Sequence, residues 1–306
     1  MGERALVLGG GGVTGVAWEL GLIAGLTEAG LNLADADLVV GTSAGSVVGA
    51  DITSGHDLDD LYQRQLAPPV GEIAARMGRG VLARLGWIML TSRNPDRARR
   101  RIGRLARSAK TESEVARSKV IEARLPTREW PAVNLRVTAV DAQSGEFTVF
   151  DAASGVGLVD AVGASCAVPG VWPPVSIGGR RYVDGGMRSA ANADLADGYR
   201  KVVIIAPIVQ GFGHMTGPAT QAAALTSAGA SVVLIKPDAA AIKAIGKNLL
   251  DPARRAAAAR AGRAQAAAVL DQVAAVWQPD DAVPGADRAA PAADDAVPGS
   301  ATEVPG

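Results

Sequence analysis

The segment 38–46 is the feature that most constrains how this chain can fold. Its apolar, partly β-branched residues Leu38 to Val40 predict a buried strand, and the sequence Gly-Thr-Ser-Ala-Gly follows directly at 41–45. Small residues suited to a helix come next. Gly41 and Gly45 permit a sharp strand-to-helix turn, because glycine tolerates strained backbone angles and close backbone approach. Such a turn, a nucleophile elbow, presents the Ser43 hydroxyl above the strand ends.

A second glycine-rich segment lies near the amino terminus. Residues Ala5 to Leu8 predict a buried parallel strand, four glycines follow at 9–12, and apolar residues at helical spacing continue until Gly30. Backbone N–H groups in such a loop, together with the positive end of the following helix, attract an anion. The loop after one parallel strand lies beside the end of its neighbour, so we expect this loop to lie close to Ser43.

Two functions are open for the glycine loop. The spacing Gly10-x-Gly12-x-x-Gly15 satisfies the dinucleotide-binding fingerprint, which also expects an acidic residue at the end of the second strand. Asp35 and Asp37 have about the right separation, but both precede that strand. The alternative is an oxyanion hole, whose amides face a carbonyl attacked by Ser43. We favour the oxyanion hole.

The overall composition excludes several classes of protein. Of 306 residues, 48% are hydrophobic and 20% charged, which suits a globular protein with a large core. Lys+Arg and Asp+Glu both number 31, so no global field attracts the chain to nucleic acid. The single cysteine, Cys166, excludes an internal disulfide, and we expect it to behave as a small buried hydrophobe. With neither a secretory signal nor a membrane-length apolar run in the sequence, we expect a cytoplasmic protein with at most peripheral membrane contact.

Residues 56–130 differ in amino-acid composition from the rest of the chain. An apolar patch between Val81 and Leu90 precedes a concentration of arginine between Arg93 and Arg107. One interpretation is a helical insertion with a core-facing stripe and a solvated basic face. The other is a mobile cap that covers an acyl pocket and meets anionic lipid headgroups through its arginines.

The second half of the chain adds a candidate carboxylate. Alternating residues predict a hairpin over 135–150, and the apolar, proline-rich segment 164–175 is interpreted as a pocket wall. Asp184 then ends a strand and is followed by Gly185 and Gly186, which puts a carboxylate on a tight turn. An Asp-Gly turn without chemistry is the alternative. Further strands are predicted at 201–206 and 231–235, and a long helix follows Asp251 up to about residue 277.

In order and context these motifs resemble the patatin-like phospholipase family. The resemblance implies a three-layer α/β/α sandwich with a mostly parallel central sheet. The domain would span 1–278, with 56–130 as a variable helical cap insertion, and the Pro/Ala/Asp-rich segment 279–306 would be a disordered tail.

The resemblance also implies a chemistry, namely hydrolysis of fatty-acyl ester bonds of lipids by a Ser-Asp dyad without metal or cofactor. Ser43 corresponds to the nucleophile and Asp184 to the base, and the loop Gly10, Gly11 and Gly12 corresponds to the oxyanion hole. One departure is Thr14, where the family usually has Arg or Lys. Oxyanion stabilisation would then rest on backbone amides and the helix dipole.

The sequence leaves some alternatives open. It contains two histidines, His56 and His214, and a Ser-His-Asp triad would need one of them beside Ser43. A dinucleotide-binding oxidoreductase and a non-catalytic lipid-binding protein of the same fold are the competing functions. The expected partner is a lipid acyl ester, and neither the lipid class nor the oligomeric state follows from the sequence.

Overall fold

A mixed β-sheet forms the centre of the molecule in the computed structural model, which describes residues 2–69 and 74–278. The strands, in chain order, are β1 (Arg4–Leu8), β2 (Leu38–Gly41), β3 (Asn134–Asp141), β4 (Phe147–Phe150), β5 (Val175–Ile177), β6 (Arg180–Asp184), β7 (Lys201–Ile205) and β8 (Ser231–Ile235). Their spatial order is β5-β6-β3-β2-β1-β7-β8, and β4 pairs with β3 outside this path. The five strands β3, β2, β1, β7 and β8 are parallel, while β4, β5 and β6 pair antiparallel.

Helices cover both faces of the sheet. They are α1 (Gly12–Glu28), α2 (Ala44–Ile52), α3 (Leu58–Leu66), α4 (Arg79–Thr91), α5 (Pro95–Ser108), α6 (Glu114–Arg124), α7 (Leu158–Ser165), α8 (Pro218–Ser227), α9 (Ala239–Ile245) and α10 (Arg255–Trp277). Alternate residues of β1 pack against opposite layers. Leu6 and Leu8 contact the larger core under α1, α2, α7 and α10, whereas Ala5 and Val7 contact the core under α8. The predicted three-layer α/β/α class is confirmed.

The elements follow the sequence patterns closely. The predicted strands and the hairpin over 135–150 are present, and α1 ends at Glu28, just before Gly30. The long helix after Asp251 begins with a 3₁₀ turn over Pro252–Arg254. The Asp251 side chain caps this turn by accepting a hydrogen bond from the Ala253 amide (3.1 Å).

The range 56–130 contains four helices, α3 to α6, in its described part. Its role as a cap stays a prediction. The predicted tail, 279–306, lies outside the described residues. None of the helices in the described ranges combines the length and apolar character needed to cross a membrane.

Helices α1 and α10 pack unusually closely, because glycines form their contact. A Cβ on Gly262 would collide with the Trp18 carbonyl, and a Cβ on Gly21 would collide with the Ala259 carbonyl. The contact also holds a buried hydrogen bond from Trp18 Nε1 to Gln265 Oε1 (3.0 Å). Since α1 begins at the glycine loop, this packing fixes the loop against the sheet.

We therefore expect Gly262→Ala to destabilise the protein, because the added methyl forces the two helices apart. Overpacking of this kind typically costs about 1–3 kcal/mol in the free energy of unfolding. Gly86→Ala in α4 is the matched control, since its Cβ meets no atom within 4 Å and alanine is the better helix former. Denaturant midpoints of the two variants provide the test. Equal midpoints would mean that the close contact contributes nothing.

Candidate active site

Ser43 occupies a strained turn between β2 and α2. Its φ of 52° and ψ of −113° lie outside the regions that a residue with a side chain ordinarily adopts. The surrounding glycines are needed sterically. A Cβ on Gly41 would lie 2.5 Å from Ser46 Cα, and one on Gly45 would collide with the Leu8 carbonyl. The predicted elbow is thus present, with its backbone pressed against the end of β1.

Neighbouring groups hold the main chain of Ser43 on both sides. Its N–H donates to Ser165 Oγ (2.8 Å), at the end of α7. Its carbonyl accepts from Ser46 Oγ (2.6 Å) and from the Cys166 thiol (3.3 Å). Burial, with the nearby Asp184 charge adding to it, raises the pKa of Cys166 to about 11. The thiol therefore stays protonated and acts as a buried hydrogen-bond donor.

Sheet register brings Asp184 to the level of Ser43. Gly41 in β2 lies opposite Val137 in β3, and Asp184 at the end of β6 lies opposite Ala139, two residues further along β3. Two residues beyond Gly41 is Ser43. Along β3, the antiparallel strand β6 pairs with the last three residues, Ala139 to Asp141, so the last residue of β6 lies level with the elbow.

Asp184 is buried, and its carboxyl group lies close enough to the Ser43 hydroxyl for the two groups to interact. It is 3% exposed, and Oδ1 accepts the Gly186 N–H at 2.7 Å. Burial raises its pKa from 3.8 to about 6, although hydrogen bonds from the Ser43 hydroxyl and the Gly186 amide act in the opposite direction. Desolvation outweighs the two hydrogen bonds, and the carboxylate becomes a stronger base than an exposed aspartate.

The glycine loop adjoins Ser43 at the start of α1. Within the described part of the chain, the N–H groups of Gly11, Gly12 and Val13 have no hydrogen-bond acceptor. Gly12 and Val13 line the same cavity as Ser43. Gly12 adopts a φ of 62°, which favours glycine. These amides and the helix dipole give the loop the donors that an oxyanion requires.

The amide of Gly10 has another acceptor. It donates to the Ala190 carbonyl at 2.7 Å, so it is engaged in the fold instead of facing the cavity. Of the predicted oxyanion loop, residues 10–12, only the amides after Gly10 are therefore available to donate to an oxyanion. The Thr14 side chain is also engaged, because its hydroxyl and amide both donate to the Leu249 carbonyl (3.3 and 3.2 Å).

Asn192 joins the Ser43 turn to the Asp184 turn, and sequence reasoning did not find it. Its buried side-chain amide donates to Thr42 Oγ1 (3.0 Å), the residue before Ser43, and to the Gly185 carbonyl (3.4 Å), the residue after Asp184. It also contacts Thr138 Oγ1 of the intervening strand at 3.3 Å. Asn192 has a left-handed φ of 52°, a conformation that asparagine tolerates, but no sequence pattern marks its position.

The cavity at Ser43 is small, and both apolar side chains and the arginines Arg117 and Arg124 line it. Its volume is about 20 Å³, and Val168 and Trp172 of the predicted pocket wall contribute to it. The Arg117 guanidinium, buried beneath the surface, lies 3.9 Å from the ring of Trp172. A wider cavity of about 260 Å³ adjoins it and shares Val13 and Val47.

The residues required by the competing mechanisms lie elsewhere. His56 contacts Ser54 at the surface, and His214 contacts the Ser92 carbonyl at 2.7 Å. Asp37 accepts the amides of Glu3 and Arg4, at the start of β1 and therefore at the sheet edge opposite the glycine loop. It cannot hold a ribose at that loop.

The chain is similar to one known protein family and to several solved structures. The model of the family described as patatin-like phospholipase matches residues 6–197. Among solved structures, the chain is similar to VipD from Legionella pneumophila, with 15% identity and a TM-score of 0.44, covering 89% of this chain and 67% of VipD. It is also similar to the type III effector protein ExoU, with 18% identity and a TM-score of 0.39, covering 89% of this chain and 53% of ExoU.

The strain at Ser43 predicts a stability difference between two substitutions. Ser43→Ala and Ser43→Gly both remove the hydroxyl, but only glycine adopts a φ of 52° without penalty. We expect Ser43→Gly to be the more stable by about 1–3 kcal/mol in the free energy of unfolding. Chemical denaturation measures this difference. A pair of variants with the same midpoint would contradict a strained turn.

Proposed function

Because the chain belongs to the patatin-like phospholipase family, and is thus a lipid acyl hydrolase, we propose that it cleaves fatty-acyl esters with a Ser-Asp dyad through an acyl-enzyme. One observation carries this proposal: the hydroxyl of Ser43, held in a strained turn, interacts with the buried carboxyl of Asp184. Free amides of the glycine loop adjoin the same cavity.

In the first step Ser43 Oγ attacks the ester carbonyl. Asp184 accepts the hydroxyl proton, which its raised pKa favours, and the amides of Gly11 and Gly12 stabilise the negative charge on the carbonyl oxygen. The tetrahedral intermediate collapses to an acyl-serine. Asp184 returns its proton to the leaving alcohol.

In the second step water hydrolyses the acyl-serine. Asp184, again ionised, takes a proton from the water molecule while the water oxygen attacks the acyl carbon. The same amides stabilise the second oxyanion, and the proton then passes to Ser43 Oγ as the fatty acid leaves. No metal or cofactor takes part in this scheme.

Two other functions have weaker support. Dinucleotide binding would need an acidic residue beside the glycine loop, and Asp37 lies at the other edge of the sheet. A lipid-binding protein without catalysis would have no need for the strained φ at Ser43 or for the buried, hydrogen-bonded carboxyl of Asp184.

We also propose that the protein acts in the cytoplasm and meets its lipid substrate by peripheral contact through the helices within 56–130. The free thiol of Cys166 is compatible with a reducing compartment. The peripheral contact is supported by the exposed apolar residues of α4.

Fluorophosphonate labelling tests the proposed function directly. The wild-type chain should react at Ser43, identified by peptide mass spectrometry, and should release fatty acid from a mixed lipid extract. Ser43→Ala should do neither while keeping its fold. Ser227→Ala, at an exposed position at the end of α8, is the control that removes a serine hydroxyl and keeps the nucleophile. Fatty-acid release by the purified Ser43→Ala variant would refute the proposal, and nicotinamide binding by the unlabelled chain would support the oxidoreductase.

The identity of the base predicts a clear order among variants. Asp184→Asn keeps the shape of the side chain but cannot accept the serine proton, so hydrolysis of a soluble ester should fall by about 100- to 10,000-fold. Asp160→Asn, a partly buried carboxyl of α7 outside the Ser43 cavity, is the matched control. The double variant His56→Ala/His214→Ala should retain most activity, because neither imidazole contacts Ser43.

The pH profile provides the second readout of the base. Only ionised Asp184 accepts a proton, so kcat/KM should rise about tenfold per pH unit below pH 6 and level off above it, following the pKa of about 6. The histidine double variant should show the same profile. The dyad would be overturned if the wild-type profile were flat, or if the pH dependence disappeared in the histidine double variant.

A further inference from the structure

The outer side of α4 exposes large apolar side chains. Leu82, Trp87 and Leu90 are 54%, 63% and 82% exposed, whereas Ile88 and Met89 on the other side of the helix are buried. A helix that is apolar on both sides is ordinarily covered on both. In the described part of the chain nothing covers the outer side.

The loop after β7 brings a further exposed apolar residue close to α4. Phe212 is 56% exposed, and the adjacent Gly213 lies against the Met89 side chain near the end of α4. His214 then bonds to the Ser92 carbonyl, which immediately follows the helix. We call the four exposed side chains Leu82, Trp87, Leu90 and Phe212 the docking face.

The segment that carries most of the docking face is strongly basic. Between residues 79 and 110 there is one acidic residue, Asp96, although the whole chain is balanced at 31 basic and 31 acidic residues. The same segment contains ten basic residues, namely Arg79, Arg84, Arg93, Arg97, Arg99, Arg100, Arg101, Arg104, Arg107 and Lys110.

Helix α5 presents much of this charge to solvent. Ala98, Ile102 and Ala106 are buried on its inner side, while Arg97, Arg100 and Arg104 are exposed on its outer side. A further arginine of the helix, at position 101, donates to Thr91 Oγ1 (2.8 Å) and Ser92 Oγ (3.1 Å). These bonds bring the cationic helix to the end of α4, beside Leu90.

The docking face is also linked to the catalytic cavity. Val81, on the inner side of α4, packs against Gly170, where a Cβ would lie 2.7 Å from the valine methyl group. Gly170 lies between Val168 and Trp172, and both of these line the Ser43 cavity. A bilayer or protein that contacts α4 is therefore separated from the wall of that cavity by the side chains of α4 alone.

We propose that the docking face inserts into a bilayer rich in anionic lipid, with the arginines of α4 and α5 bound to the headgroups. This inference rests on the proposed lipid acyl hydrolase activity and specifies the surface on which the enzyme works. An exposed tryptophan with aliphatic neighbours suits the interface between headgroups and acyl chains, and the charge selects an anionic surface. A nucleic acid would use the charge but would leave the apolar side chains in water.

Trp87 supplies the measurement. Trp18, Trp172 and Trp277 are buried and Trp130 is half-buried, so a change in the surroundings of Trp87 dominates any spectral response to a surface ligand. The full chain with Ser43→Ala, which leaves vesicle lipids intact, is mixed with vesicles of phosphatidylcholine alone or of phosphatidylcholine and phosphatidylglycerol in equal parts. The anionic vesicles should bind the protein and shift its emission to the blue.

Three further variants separate the contributions of the face. Leu90→Asp should weaken vesicle binding at least tenfold, while Ile242→Asp, an equally simple change at a 62% exposed position on α9, should leave it unchanged. The triple variant Arg97→Gln/Arg100→Gln/Arg104→Gln should lose on the order of a hundredfold in affinity for anionic vesicles, together with most of the salt dependence.

The outcomes distinguish the inference from the proposed function. With Ser43 intact, Leu90→Asp should hydrolyse a soluble ester at the wild-type rate and vesicle lipid more slowly. Vesicle binding that is absent, or insensitive to Leu90→Asp, would overturn the docking face even if the soluble ester is cleaved. If the wild-type protein does not hydrolyse the soluble ester, the proposed function is overturned instead. A dimer in sedimentation that Leu90→Asp dissociates, without vesicle binding, would identify a second copy as the occupant and reject the bilayer.

Discussion

The contact between the Ser43 turn and the end of β1 is the constraint on which the rest of the site depends. Thr42 N donates to the Leu8 carbonyl (3.0 Å) and Gly45 N donates to the Gly9 carbonyl (2.9 Å), so the elbow and the glycine loop are bonded into one unit. Only glycine at position 45 permits this approach. The Ser43 turn and the free amides at the start of α1 are thereby held in fixed relation, and such preorganisation is what electrostatic stabilisation of a transition state requires.

Burial has opposite consequences for the two ionisable groups beside Ser43. For Asp184 it disfavours the charged form, which raises the pKa to about 6 and still leaves about nine-tenths of the carboxyl ionised at pH 7. For Cys166 it removes the thiolate altogether at that pH. The same dry surroundings thus produce a useful base and an inert thiol, because the ordinary pKa values of the two groups lie on opposite sides of neutrality.

A buried polar network joins the Ser43 turn to the Asp184 turn. Asn192 contacts Thr42 and Gly185, which adjoin Ser43 and Asp184, and its Oδ1 accepts from Arg188 (2.8 Å), which is in turn paired with Asp194. Buried polar groups are stable only when they are hydrogen-bonded, so this network favours one geometry over alternatives that would leave a donor without an acceptor. The strain at Ser43 is maintained by such surrounding contacts and not by the turn itself.

The sequence by itself determined the strand-turn-helix units, because glycine content and apolar periodicity act locally on the backbone. It also indicated the turns at Ser43 and Asp184 and the high density of basic residues around α5. Tertiary structure alone decided which groups meet. The offset between β3 and β6 brings Asp184 to the level of Ser43, the Ala190 carbonyl occupies the Gly10 amide, and Asn192 bridges segments 150 residues apart. Which side of α4 faces water was likewise decided by packing, since a helix that is apolar all round does not specify its buried side.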